Sequence, residues 1–218
     1  MKQRPILFSA PMVRALLDGT KTQTRRIAHS DSTEMLRPSP FVKSGIETIH
    51  GYEVKNPYGN QGDQLWVRET YGIEVRSYGG GTGEFYAYRA TKPDAVYCKE
   101  ASGTTIPIKW IPSIHMPRKA CRITLEITSI RVERLQDISK EDAITEGLST
   151  ISKDGKTWKY GIPDRDGLPG RDNDGWPWSD WEEDPRLAYK KLWERINGTG
   201  SWDANPWVWV IEFKRVEQ

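Results

Sequence analysis

The stretch Pro11–Ile27, PMVRALLDGTKTQTRRI, sets the reading of the whole chain. Pro11 suits the first position of a helix, because the N–H it lacks is one a helix start leaves unbonded, and Met12, Ala15 and Leu16 recur at helical spacing. Gly19 closes a helix over Pro11–Asp18, since glycine readily takes the left-handed conformation just past a helix end. Beyond it, Lys21–Ile27 is rich in Thr and β-branched residues and reads as a strand.

Working outward, Gly62-Asp63 forms a turn into a short strand over Gln64–Glu69, carrying Leu65, Trp66 and Val67. Gly79-Gly80-Gly81 separates the strand-like stretches Tyr71–Tyr78 and Glu84–Ala90, as at a hairpin tip. Within Arg122–Arg134, Ile123, Leu125, Ile127 and Ile130 broadly alternate with polar residues, a strand pattern. Ser139 opens a second helix with Asp142 three positions on, and Gly147 closes it. Ser152–Pro185 is dense in Gly, Asp, Pro and Trp without period, so a long loop is expected. Arg186–Ile196 reads as an amphipathic helix using Leu187, Leu192, Trp193 and Ile196, and Trp207–Val216 as a strongly hydrophobic last strand. Short helices among many strands predict an α+β domain or a small barrel.

With 218 residues, the chain is expected to form a single domain, 1–218, with insertions near 27–60, 72–118 and 150–186. Ten Trp, nine Tyr and four Phe exclude wholesale disorder. No apolar run is long enough to span a membrane, and the opening MKQRPILFSAPM lacks the apolar core of a signal peptide, so a cytoplasmic protein with no membrane partner is expected. Cys98 and Cys121 offer neither a disulfide framework nor a CxxC pair, and His29 and His50 stand apart, so neither a metal nor another cofactor is expected. A net charge of +2 gives no bulk attraction to nucleic acid, and the only basic cluster is Lys21, Arg25 and Arg26 near Arg14.

Gly19-Thr20-Lys21-Thr22-Gln23-Thr24-Arg25-Arg26 resembles the signature of the ASCH family, roughly G-x-K-x-x-[E/T]-x-R, with Gly19, Lys21, Thr24 and Arg26 at its positions. Gly62-Asp63 is similar to the family's GD turn, Ser139–Gly147 to the helix after its central strand, and Val210–Lys214 to its last strand. The stretches PILFSAPMVRALLDGTKTQTRR, GDQLWVRET and NPWVWVIEF resemble phage and prophage proteins of this type. The resemblance implies a PUA-like fold, a small mixed β-barrel with flanking helices, here with long loop insertions. One branch of the family cleaves the acyl amide of N(4)-acetylcytidine with a Lys, a Thr and a Glu. Residue by residue these fall on Lys21, Thr24 and Glu146, the last by aligning Ile138–Glu146 without gaps. Other relatives resemble RNA-binding modules or ribonucleases.

Amide hydrolysis needs a nucleophile, a base to activate it and an acid for the departing amine. Thr24 would supply the hydroxyl. Lys21 would accept its proton if burial, with Arg25 and Arg26 nearby, favours the neutral amine, and Glu146 would position water or protonate the leaving nitrogen. On one regular strand Lys21 and Thr24 would face opposite ways. They converge only if Lys21 belongs to the turn and the strand begins later, with Thr24 and Arg26 sharing the inward face.

Five further residues are candidates for substrate contact. Arg26 is either a substrate ligand or a structural ion-pair partner. Trp66, on the strand face opposite Glu69, either stacks on a base or packs in the core. Glu69 either accepts hydrogen bonds from a base edge, standing second to Glu146 as the functional carboxylate, or is salt-bridged to an arginine. His115 and Arg118 precede the central strand, where His115 would assist proton transfer and Arg118 would hold a phosphate or carbonyl oxygen. Trp176, Trp178 and Trp181 lie in an acidic loop with Asp172, Asp174 and Asp180, as a lid or as packing. The expected partner is therefore a small modified nucleoside, cleaved hydrolytically. RNA bound by a non-catalytic module is the alternative, and a host protein docked on the Trp-rich loop is a third.

Overall fold

The computed structural model describes residues 1–28, 35–78, 81–171 and 174–216. His29, Gly79, Gly80 and Asp172, which figured in the sequence reading, lie outside the described residues. In chain order the elements are β1 (Gln3–Leu7), α1 (Ala10–Leu17), β2 (Gln23–Ile27), β3 (Leu36–Pro38), β4 (Ile46–Thr48) and β5 (Gln64–Arg68). There follow β6 (Tyr71–Tyr78), β7 (Gly81–Tyr88), β8 (Val96–Lys99), β9 (Thr105–Pro107) and β10 (Thr124–Arg134). The chain ends with α2 (Lys140–Thr145), β11 (Ser149–Ser152), β12 (Trp158–Gly161), α3 (Pro185–Asn197) and β13 (Trp207–Val216).

The architecture is mixed α+β and mostly strand. Five strands form one sheet in the order β1-β5-β10-β13-β2, with β1 and β5 parallel and the other pairs antiparallel. Among the described residues the remaining strands pair off as four separate two-stranded sheets. Two of them, β3–β4 and β11–β12, fall in or at the border of segments read as insertions, where short pairings of three and four residues carry too little pattern to read.

The expected barrel is not closed, because β1 and β2 are the outer strands of an open sheet. Pro5 deprives β1 of an N–H in mid-strand, and α1 carries the chain from one edge to the other. Side chains span the seam in place of a backbone ladder. The Arg26 guanidinium donates from Nη2 to the Leu7 carbonyl at 2.6 Å, and the Phe8 ring sits edge-on to Phe213 of β13, with centroids 6.3 Å apart.

The core lies between the sheet and α1 and α3. On α1, Met12, Val13 and Leu16 are buried, each contributing roughly 1.5–3 kcal/mol. On β5, Leu65 and Val67 face the core while Trp66 lies on the other face. A bulge in β10 between Ile127 and Ser129 shifts the inward parity, which explains why Ile123, Leu125 and Ile127 are followed by Ile130. The buried face of α3 is Ala188, Tyr189, Leu192 and Trp193, whereas Leu187 and Ile196 are exposed, contrary to the amphipathic pattern read from the sequence. Asp184 fixes the start of α3 by accepting from the Arg186 N–H at 2.9 Å. The Trp-rich segment packs rather than projects: Trp176 and Trp181 are buried, and Trp181 donates to the Trp176 carbonyl. Among the described residues no helix is long and apolar enough to cross a membrane.

Candidate functional site

The end of α1 positions the lysine. Gly19, at φ +75°, lets its own N–H bond Leu16 and the Thr20 N–H bond Ala15, the two reversed bonds of a Schellman motif. The Lys21 N–H bonds Ala15 as well. Lys21 thus belongs to the helix end and β2 begins only at Gln23, which is the condition for Lys21 and Thr24 to converge.

The end of α2 meets it. Ser139 caps this helix by accepting from the Asp142 N–H, and Glu146 sits at its C-terminal cap. Lys21 and Glu146 pair as an isolated antiparallel bridge, and the Thr22 N–H bonds the Thr145 carbonyl. The lysine then donates through Nζ to the Glu146 carbonyl at 2.6 Å and to its Oε2 at 3.0 Å. Gly147 makes this approach possible. Its φ is +101°, and a Cβ there would lie 3.1 Å from the Ala15 Cβ and 3.3 Å from that of Lys21.

Lys21 is 4%, Glu146 3% and Thr24 4% exposed. Burial pulls the Lys21 amine below its ordinary range, although Glu146 works against that shift and Arg26 and Arg25 assist it only weakly. Arg25, whose side chain is wholly buried, bonds Glu146 Oε1 at 3.1 Å, Glu133 Oε1 at 2.5 Å and Asp142 Oδ2 at 2.7 Å. Burial alone would lower its pKa, but Glu146, Tyr189 and Glu133 raise it, so the guanidinium stays charged. Arg131 completes the cluster through Glu133, Asp142 and Glu212. These carboxylates are committed to arginines. Among the described residues no group of His, Cys, Asp or Glu is placed to hold a metal ion.

A cavity of about 650 Å³ opens over this pair, with Lys21, Thr24, Arg26, Glu69 and Glu146 all in its wall. The Thr24 hydroxyl makes no hydrogen bond among the described residues. Glu69 is buried and bound fork-to-fork by Arg122, Nε to Oε1 at 2.8 Å and Nη2 to Oε2 at 2.9 Å, which is the ion-pair alternative for this residue. Arg26 lies 5.2 Å from the Phe8 ring centroid and makes no ion pair among the described residues.

Three sequence candidates lie elsewhere. Trp66 is on the outer face of β5, where strand alternation sends it, with Arg68 at 5.4 Å and Arg118 at 6.0 Å from its ring. Arg118 donates to Gln3 at 3.1 Å, and His115 is exposed in the short 3-10 turn Ser113–His115. None of the three lines the cavity, although Ser113 of the same loop does.

Two residues of the wall escaped the sequence reading. From sequence Arg25 reads only as a neighbouring charge of Lys21 and a member of the basic cluster, not as the hub of a carboxylate network. Tyr189 lines the cavity from α3, 3% exposed, and burial with the nearby Glu146 raises its phenol well above the ordinary range. The adjacent Arg25-Arg26 doublet was the available signal for the first; nothing local marks the second. Comparison of the chain with protein-family models, curated proteins and solved structures returns no match.

Proposed function

We propose that the chain is an ASCH-type amidohydrolase on a PUA-like scaffold, acting on N(4)-acylated cytosine nucleosides or related modified bases. The observation that carries this reading is the meeting of Lys21, Thr24 and Glu146 in the wall of one cavity, with the lysine bonded to the glutamate and the threonine hydroxyl unengaged. In its neutral form Lys21 has two N–H groups, both accepted by Glu146, and its lone pair is left to take the Thr24 proton. The Thr24 oxygen then bonds the acyl carbon. Collapse of the tetrahedral adduct breaks the carbon–nitrogen bond, and the proton held by Lys21 passes to the departing exocyclic nitrogen of cytosine. Water, activated by the same pair, releases the acid from the threonine ester. Burial is the physical lever, because it disfavours the ammonium form.

The test is an ultraviolet assay of N(4)-acetylcytidine with wild type, Lys21→Ala and Thr24→Val. Conversion to cytidine by the wild type alone is the expected result. Absence of conversion across a panel of acyl groups overturns the proposal and leaves the binding-module reading, which the uncompensated arginines of the wall favour.

A further inference from the structure

The cations of the cavity wall are unequally spent. Lys21 and Arg25 are paired with Glu146, Arg165 reaches Asp94 at 2.9 Å, and Glu69 is taken by Arg122. Arg26 and Arg89 have no carboxylate partner among the described residues, and Arg14 has only Asp174, at 3.7 Å. Arg14 Nη2 and Arg26 Nε are buried and bond nothing among the described residues. Folded proteins seldom leave such donors dry unless another group completes them.

The start of α1 adds to this. Ser9 and Ala10 line the same cavity, Ser9 makes no side-chain cap bond and the first turn holds no acidic residue. Pro11 has no N–H and the Val13 N–H goes to the Ser9 carbonyl, so Ala10 and Met12 carry the N–H groups left at this helix start. In the same cavity wall, the hydroxyl of Tyr189, a residue more than nine-tenths buried, bonds nothing among the described residues.

We infer that the cavity binds a nucleoside monophosphate, with Arg14, Arg26 and Arg89 and the start of α1 taking the phosphate while the base lies toward Lys21 and Thr24. A phosphomonoester carries close to two negative charges at neutral pH, which the unpaired Arg26 and Arg89 match. The volume of about 650 Å³ suits a mononucleotide, and a chain charge of +2 is small for a polyanion binder. The identity of the base rests on the hydrolase reading; the phosphate site does not.

Calorimetric titration with cytidine and with cytidine 5′-monophosphate tests this without turnover. The wild type is expected to bind the monophosphate about tenfold or more tightly than cytidine, with an advantage that shrinks as salt rises. Arg89 is exposed and its side chain makes no hydrogen bond or ion pair among the described residues, so Arg89→Gln folds normally and loses most of that advantage. Arg14→Gln loses part of it, and Lys99→Gln, on β8 and outside the cavity wall, retains it. Equal affinity for the two ligands overturns the inference, as does an advantage that survives both arginine changes. An oligonucleotide without a terminal phosphate that outcompetes the monophosphate also overturns it, assigning the arginines to a polymer backbone. Acylcytidine cleavage without a monophosphate preference removes the phosphate site alone. A monophosphate preference without cleavage of any acylated base supports the site and removes only the hydrolase reading.

Discussion

Lys21 and Glu146, 125 positions apart in the chain, are joined twice, by a backbone bridge and by a buried ion pair at 3.0 Å. The bridge fixes both Cα positions, so the amine meets the carboxylate without either long side chain having to search for the other. The pair is thereby part of the fold and not a surface contact.

Replacing Glu146 with Gln removes one partner of this pair and leaves Lys21 and Arg25 buried beside a neutral amide. Breaking such a pair costs about 3–5 kcal/mol of stability, to be read from urea unfolding. The sign of the catalytic effect is also fixed. Glu146 favours the charged lysine, so without it burial acts more freely and Lys21 loses its proton at lower pH. The rise of kcat/KM with pH should shift to lower pH in Glu146→Gln, and an unmoved limb would exclude Lys21 as the base.

Thr24 separates chemistry from stability. Its hydroxyl bonds nothing among the described residues, so Thr24→Val should alter stability by less than about 1 kcal/mol. Hydrolysis should fall by roughly three orders of magnitude or more, as for loss of a nucleophile. Thr24→Ser should keep measurable turnover; equal loss in both variants would point to packing by the methyl group instead.

Gly147→Ala places a Cβ at φ +101° within 3.1 Å of Ala15. Left-handed strain together with the clash should cost about 1–3 kcal/mol. At about 2–4 °C of melting temperature per kcal/mol for a chain of this size, calorimetry will resolve the change. A variant as stable as the wild type would show that the two helix ends can part without penalty.

Trp66→Ala should leave kcat/KM within about twofold of wild type, because Trp66 packs between Arg68 and Arg118 away from the cavity. A large rise in KM would return this residue to the binding site.

Acid should weaken the fold through Asp142. Burial pushes its carboxyl up, but hydrogen bonding and charge from Arg25, with Arg131, outweigh burial and hold it below the ordinary range. Its stabilising contribution is therefore complete above the unfolded value of about 3.9 and lost as pH falls through the lower folded value. Urea midpoints measured from pH 5 down to pH 2 should fall less steeply for Asp142→Asn than for wild type.

The helix and its closing glycine were legible because each is a local signal, and Gly147 likewise marked the end of α2. The strand read from Lys21, by contrast, begins only at Gln23, because the Lys21 N–H is held by the helix end. Glu146 came from the resemblance, and the cavity holds it beside Lys21. The role of Arg25 was not legible. Arg25 and Arg26 are identical in sequence, but alternation along β2 sends Arg25 to carboxylates contributed by β10 and α2, more than a hundred residues away, and Arg26 to the seam. Trp66 misled for a related reason. Apolar residues occupy both faces of β5, so the pattern gave the alternation without saying which face is inward.

The open sheet also bears on how molecules meet one another. An uncovered outer strand invites a second chain to add to it. Here Pro5 interrupts the donors of β1, Arg26 already occupies the Leu7 carbonyl, and the end of α2 takes the Thr22 N–H just ahead of β2. The β1 border therefore presents no unbroken row of partners. The open seam thus lends Leu7, Phe8 and Arg26 to the cavity wall while its β1 side makes a poor template for edge-to-edge addition of a second chain.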